Sequence, residues 1–326
     1  VILFDGLNVL YRCAYAMMPG GLSVVLDGET TSTGAAYRML RTIVEVHATE
    51  PTAIPVVVWD ADLSRASLRR HKMDKSYKAG RAPKNELDLD FHREVHDQRR
   101  LLNQLLARVG CFQAVAGEGW EADDVIATKA RRLSKLGSVL IVSNDRDMLS
   151  LLDFDGVRIL NIGSRRHSQP GELYEYRDRE WFQEKYPEVG PSQWIEMRAL
   201  MGDSSDGIKG VAGIGEVWAY KLIRAYGTAL DAVRYAKAKE EGHALRVPDG
   251  PFDTAKSVQK KLLGQEEAVE KAMKLLALNY SAPHEWIARS TDRRVALQEI
   301  RRLRFKSFLA GTLRAQLSEL LDACAA

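Results

Sequence analysis

Cysteine is scarce: Cys13, Cys111 and Cys324 are the only three in 326 residues. An odd number at scattered positions excludes a disulfide framework and suits reduced thiols in a cytoplasm, of a bacterial cell or a phage-infected host. The three show no metal-ligand spacing. No apolar run approaches the ~18–20 residues of a membrane span, and no charged-then-apolar leader opens the chain, so no membrane partner is expected. Val1 is not a start methionine and falls inside the first strand signal, so native residues are expected to precede it. Internal repeats and low-complexity tracts are missing too. Net charge is small, with 47 Lys+Arg against 44 Asp+Glu.

What remains is a globular composition, 45% hydrophobic and 28% charged, long enough for one large domain or two ordinary ones. Its charge is unevenly placed. Residues 65–100 carry eleven Lys/Arg against six Asp/Glu. A solvated helix face would explain most such runs, whereas a nucleic-acid footprint would explain one beside an acidic site.

The first half alternates strand and helix signals. "VILFD" (1–5), "IPVVVWD" (54–60), "VLIVSND" (139–145) and "VRILNIG" (157–163) read as strands buried on both faces. Helical patterns run roughly over 33–48, 91–109 and 121–136. This order predicts an α/β fold, a mostly parallel sheet with helices on both faces. After about residue 190 the signal turns helical. "SQWIEMRALMG" stops at Gly202, "EVWAYKLIRAYG" at Gly227, and "GQEEAVEKAMKLLALN" (264–279) follows a charged stretch (238–253) read as a loop.

Three strands end in aspartate, at Asp5, Asp60 and Asp145, and a parallel sheet would bring them to one edge. "GWEADDVIAT" opens a helix with Glu121, Asp123 and Asp124. Acids in a first helical turn meet the dipole favourably, but three together exceed that need, and no basic residue follows before Lys129. "SNDRDM" adds Asp147, and "GDSSD" adds Asp203 and Asp206. Nine converging carboxylates cannot all stay ionised without cations. Hard oxygen donors without His or Cys point to two or more Mg²⁺ or Mn²⁺ ions. Without these nine acids the remaining chain would carry +12, a basic body around an acidic pocket. A few residues past Asp206, "GVAGIGE" reads as an anion-attracting turn opening a helix.

Taken in order, "ILFDGLNVLYR", "VVVWDA", "YKAGR", "EADDVIAT", "SNDRDM" and "ALMGDSSDGIKGVAGIGE" resemble the structure-specific 5′ nucleases. This flap endonuclease / 5′→3′ exonuclease family includes the N-terminal domain of bacterial DNA polymerase I and free-standing phage enzymes. The resemblance runs from about residue 1 to 230, and "LRFKSFLAG" (303–311) is similar to the family's closing segment. It implies a PIN-like, Rossmann-like nuclease core over 1–190 with a helical arch at about 65–100. A helix–turn–helix (helix-hairpin-helix-like) duplex-binding subdomain over 191–280 would follow, and 281–326 would pack back on the core.

By motif position, the resemblance implies one metal cluster of Asp5, Asp60, Glu121, Asp123 and Asp124 and another of Asp145, Asp147, Asp203 and Asp206. Two-metal hydrolysis would leave a 5′-phosphate and a 3′-hydroxyl. Lys78 would stabilise the scissile phosphate, assisted by Arg81, Arg70 and, on the first helix, Arg12. Tyr77 would stack on a displaced base or simply pack. Gly213 and Gly215 would admit a duplex phosphate, with Lys221 further along the helix, and the 211–215 turn would hold K⁺. The implied partner is branched, nicked or 5′-ended DNA, extending to RNA/DNA hybrids, met by a monomer. A PIN-type ribonuclease and a non-catalytic junction binder are the rivals. The basic segment and the glycine turn argue against the first, and nine filled acidic positions against the second. The chain departs from the family in carrying Gly207 for a common Asn and Arg146 for a common Lys.

Overall fold

The computed structural model describes residues 1–17, 21–61, 65–162, 174–243 and 250–325. Among them, seven strands form one sheet in the order His284–Trp286, Phe112–Ala116, Pro55–Trp59, Ile2–Asp5, Val139–Val142, Val157–Ile162 and Tyr174–Arg177. The five central strands pair in parallel and the two edge strands antiparallel. The four strands expected from the sequence are therefore all central. Gln113 interrupts the apolar signal of Phe112–Ala116, and inside the fold its amide accepts from Trp59 Nε1 at 3.1 Å and donates to the Asn103 carbonyl at 3.0 Å. The edge strands "YEYR" and "HEW" are polar and part-exposed, so no apolar run marks them.

Alternation along each strand builds two cores. Ile2, Phe4, Val57 and Trp59 face the helices Gly6–Met17, Gly34–Thr49 and Glu86–Val109, together with the C-terminal helices Arg293–Arg302 and Gly311–Ala325. Leu3, Val56, Val58 and Ile141 face the helix Ala122–Leu133, and that core continues into the helices between residues 194 and 276. The C-terminal segment thus returns to the sheet edge and to the opposite face.

Glu86–Val109 starts five residues before the expected 91, because Asn85 caps it by accepting the Asp88 N–H at 2.8 Å. Its buried residues all lie from Val95 onward, and the charged first half stands away from the core. In the stretch 238–253, read as a loop, the helix Ala229–Glu240 enters from one side and Pro251–Thr254 closes the other, while residues 244–249 lie outside the described residues. Among the described residues, no helix is long and apolar enough to cross a membrane.

Candidate active site

Parallel pairing decides which acids meet. Asp5 lies in register with Val58, two residues before Asp60, and Phe4 with Val142, three before Asp145. All three aspartates therefore stand at the carboxyl edge of the sheet. Asp60 Oδ1 accepts the Ala122 N–H at 2.8 Å, which fixes the N-terminus of Ala122–Leu133 at that edge and sets Asp123 among them. Ser143 Oγ donates to Asp5 Oδ2 at 2.8 Å. Burial, opposed by that hydroxyl and reinforced by Asp60 and Asp145, pushes the Asp5 carboxyl up to about 7. Burial and then the charges of Asp145 and Asp5 push Asp123 well above the usual carboxylate range.

A second group adjoins the first. Burial and Asp145, against the pull of Arg198, push Asp147 up to about 7. Asp203 is held low because Ser205 and Arg198 outweigh its burial, whereas for Asp206 burial outweighs Lys78 and Arg81. The charge of Asp145 acts on Asp5, Asp123, Asp147 and Asp206 alike, so it borders both groups.

Two members of the expected first cluster are engaged by basic side chains. Asp124 is occupied by Arg70 Nη2 at 2.7 Å, Arg70 Nη1 at 3.1 Å and the Asn279 N–H at 2.9 Å. Three protein donors therefore converge on Asp124. Glu121 accepts from Arg70 Nη1 at 2.5 Å, from the Tyr77 hydroxyl at 3.2 Å and from Lys78. Burial alone would raise the Glu121 carboxyl, but Lys78 and Arg70 hold it down to about 2. The missing basic partner of this acidic pair comes from fifty residues upstream, beyond any helix spacing rule.

Arg70 and Tyr77 belong to the same network. Arg70 is buried, ion-paired twice and also bonded to the Ala277 carbonyl at 3.0 Å. Tyr77 is only 3% exposed, with its ring in the core, and has no free face for a base.

Lys78 and Arg81 stand differently. With Arg12, Asp5, Asp60, Asp123 and Asp145 they line a cavity of about 1220 Å³ between the sheet edge and the exposed half of Glu86–Val109. Lys78 pairs with Glu121 and Arg81 with Asp206. Arg12 Nε donates to the Ile162 carbonyl at 3.1 Å.

The glycine turn lies beyond Asp206. Gly213 has φ +75°, and Gly215 precedes the helix Glu216–Tyr226. Lys221 is exposed on that helix, 4.9 Å over the Trp218 ring. The sequence reading missed Lys261, whose ammonium donates to the Gly213 carbonyl at 3.1 Å, so a protein cation already meets the turn expected to hold K⁺. It also missed Arg198, buried and paired with both Asp147 and Asp203. An arginine five residues before Asp203, on a mostly apolar helix whose one other charged residue is Glu196, was the available signal.

Among the described residues, no three His, Cys, Asp or Glu side chains already stand close enough together to hold an ion as they are. The donor set still fits hard divalent cations. Burial first, and then the charges of Asp145 and other neighbouring acids, disfavour the ionised forms of Asp5, Asp123 and Asp147, and a divalent ion would supply the charge they lack.

Known proteins resemble the chain over most of its length. A family model described as "5'-3' exonuclease, N-terminal resolvase-like domain" matches residues 1–187, and one described as "5'-3' exonuclease, C-terminal SAM fold" matches 189–299. A thermostable DNA polymerase I of Thermus thermophilus is 35% identical over 252 residues, 74% of this chain and 26% of the relative. The chain thus spans about a quarter of the length of the polymerase relatives it matches. A 5′-3′ exonuclease of Bacillus subtilis is 33% identical over 257 residues, 78% of this chain and 79% of the relative. Among solved structures, the T5 5′-exonuclease with divalent metal ions (zinc) bound superposes with a TM-score of 0.64 at 19% identity, covering 99% of both chains. The bacteriophage T5 flap endonuclease, in a pseudo-enzyme-product complex with DNA and metal ions, gives 0.61 at 20% identity over 100% and 99% of the two chains.

Proposed function

The chain belongs to the 5′-3′ exonuclease family, and from that premise we propose that it is a metal-dependent nuclease that hydrolyses DNA at 5′ flaps, nicks or free 5′ ends. One observation carries the reading: Asp5, Asp60, Asp123 and Asp145 meet at one sheet edge, at a cavity whose wall also carries Lys78 and Arg81. Acidic floor and basic wall suit a phosphodiester held between cations of two kinds.

Bound Mg²⁺ or Mn²⁺ supplies Lewis-acid charge and an activated water at the scissile phosphate. Asp5, Asp60, Asp123 and Asp145 are the ligands proposed on one side, with Asp147, Asp203 and Asp206 on the other. Glu121 and Asp124 serve instead to hold Lys78 and Arg70. Lys78 leaves Glu121 for a phosphate oxygen and offsets charge developing there, and Arg81 does the same from Asp206. Arg12 borders the same path. The products are a 5′-phosphate and a 3′-hydroxyl. Behind the cut, the 191–280 unit grips duplex backbone through the amides around Gly213 and Gly215, with Lys221 beside them. The remaining charged half of Glu86–Val109 borders the passage of a single-stranded 5′ end.

The test is cleavage of a labelled 5′-flap duplex in Mg²⁺ or EDTA by the wild type and by Asp145→Ala. Cutting by the wild type in Mg²⁺ alone, lost in Asp145→Ala, is expected. Flap binding without cutting would leave a junction binder, and equal cutting in EDTA would overturn the metal mechanism.

A further inference from the structure

Arg146 sits between two of the clustered acids, Asp145 and Asp147, yet its side chain leaves the cluster. Its Nη2 donates to Glu216 Oε2 at 2.7 Å. Glu216 is the first residue of the helix that follows the glycine turn. The other carboxylate oxygen, Oε1, accepts from the Tyr186 hydroxyl at 2.6 Å and pairs with Lys185 Nζ at 3.2 Å. At its backbone end Arg146 is held as well: the indole N–H of the fully buried Trp194 donates to the Arg146 carbonyl at 2.7 Å, and the guanidinium lies 5.0 Å over the same ring. Tyr186 packs against Trp194 with ring centroids 5.6 Å apart.

One residue therefore connects the acidic turn to the first residue of the helix behind the glycine turn, and both of its ends are anchored. A carboxylate at the mouth of an anion-gripping turn also poses an electrostatic problem. Left alone, Glu216 would repel the phosphate that the neighbouring amides attract. Three donors converge on it, and two of them are cations. Their arrangement removes that repulsion while using the charge as a fixed anchor.

We propose that Arg146 and Glu216 form a strut that sets the distance between the duplex grip and the cut, so that together they fix the cleavage position. Arg146 acts here as a positioning residue, reaching the DNA through the helix it holds. The inference rests on the nuclease reading and concerns where the enzyme cuts rather than whether it cuts. An exposed pair of this kind contributes modestly to stability, but register is sensitive to small displacements, since misplacement by about 1 Å is enough to lose alignment with a reacting phosphate.

The experiment maps products at nucleotide resolution on one 5′-flap duplex for the wild type, Arg146→Met, Arg146→Lys, Glu216→Gln and the double variant Arg146→Met/Glu216→Gln. Mn²⁺ affinity and duplex affinity are measured in parallel. The wild type is expected to give one dominant product. Arg146→Met and Glu216→Gln should each spread the cut over neighbouring positions and weaken duplex binding about two- to fivefold, with Mn²⁺ affinity unchanged. Arg146→Lys should keep the single position, and the double variant should be no worse than either single one. A wild-type cut position retained by Arg146→Met overturns the strut, and so does a loss of Mn²⁺ affinity that accounts for the defect. Absence of cutting by the wild type overturns the nuclease reading instead, so the two failures are distinct.

Discussion

The backbone N–H of Lys78 donates to the carbonyl oxygen of Asp206 at 2.7 Å, joining the base of the basic segment to the acidic turn. Lys78 itself holds a left-handed φ of 55°, and the next residue of the turn, Gly207, has φ +71°. A Cβ on Gly207 would run into the Ser76 carbonyl oxygen. Gly207→Ala is expected to destabilise the protein by about 2 kcal/mol, combining αL strain and the clash, and to slow flap cleavage through displacement of Lys78. Chemical denaturation and single-turnover cleavage measure the two effects. Unchanged values for both would show that the contact is dispensable.

Arg70 is expected to matter for stability rather than for the cleavage step. Arg70→Met leaves Glu121 and Asp124 buried without their shared cation, a loss of about 3–5 kcal/mol. Urea unfolding measures it. A variant of wild-type stability whose cleavage falls a hundredfold would instead put Arg70 on the phosphate.

Lys78→Ala separates chemistry from binding. Loss of one group that stabilises developing charge is expected to slow single-turnover cleavage about a hundredfold or more, while flap affinity changes only a few fold. If affinity alone fell, Lys78 would be an ordinary phosphate contact.

Divalent ions should stabilise the protein more at high pH. Asp5 and Asp147 are pushed up to about 7 in the folded state, against about 3.9 when unfolded. Between those values the folded chain binds more protons, so their contribution is full below about 4 and is lost as pH rises through 7. A bound cation reverses this by favouring the ionised forms. The difference in Tm between Mg²⁺ and EDTA is therefore expected to widen from pH 5 to pH 8, and taking the difference cancels titrations elsewhere in the chain. A difference independent of pH would count against cation binding by these carboxylates.

Lys261 bears on monovalent ions. Because its ammonium meets the Gly213 carbonyl, duplex binding is expected to depend little on whether the salt is K⁺ or Na⁺ at fixed ionic strength. Lys261→Met should make K⁺ the better salt. Equal preference in both proteins would remove the turn from any cation role.

Much of this protein was legible in the sequence because its signals are local. Strands buried on both faces need continuous apolar runs, and strands of parallel direction bring their terminal aspartates to one edge, so Asp5, Asp60 and Asp145 could be grouped from the strand pattern alone. The glycine turn and the helices ending at Gly202 and Gly227 were equally plain. The tertiary structure decided which charges meet across long stretches of chain. Asp123 and Asp124 are neighbours with the same side chain, yet one joins the carboxylate cluster and the other is taken by Arg70 from a distant helix. Arg198, Lys261 and Arg146 likewise acquire their meaning only from partners that folding delivers. Periodicity reports which face of an element is buried. Only the packed fold decides whether a charge meets another carboxylate or an arginine, and here that choice separates Asp123, set among other acids, from Asp124, held by Arg70.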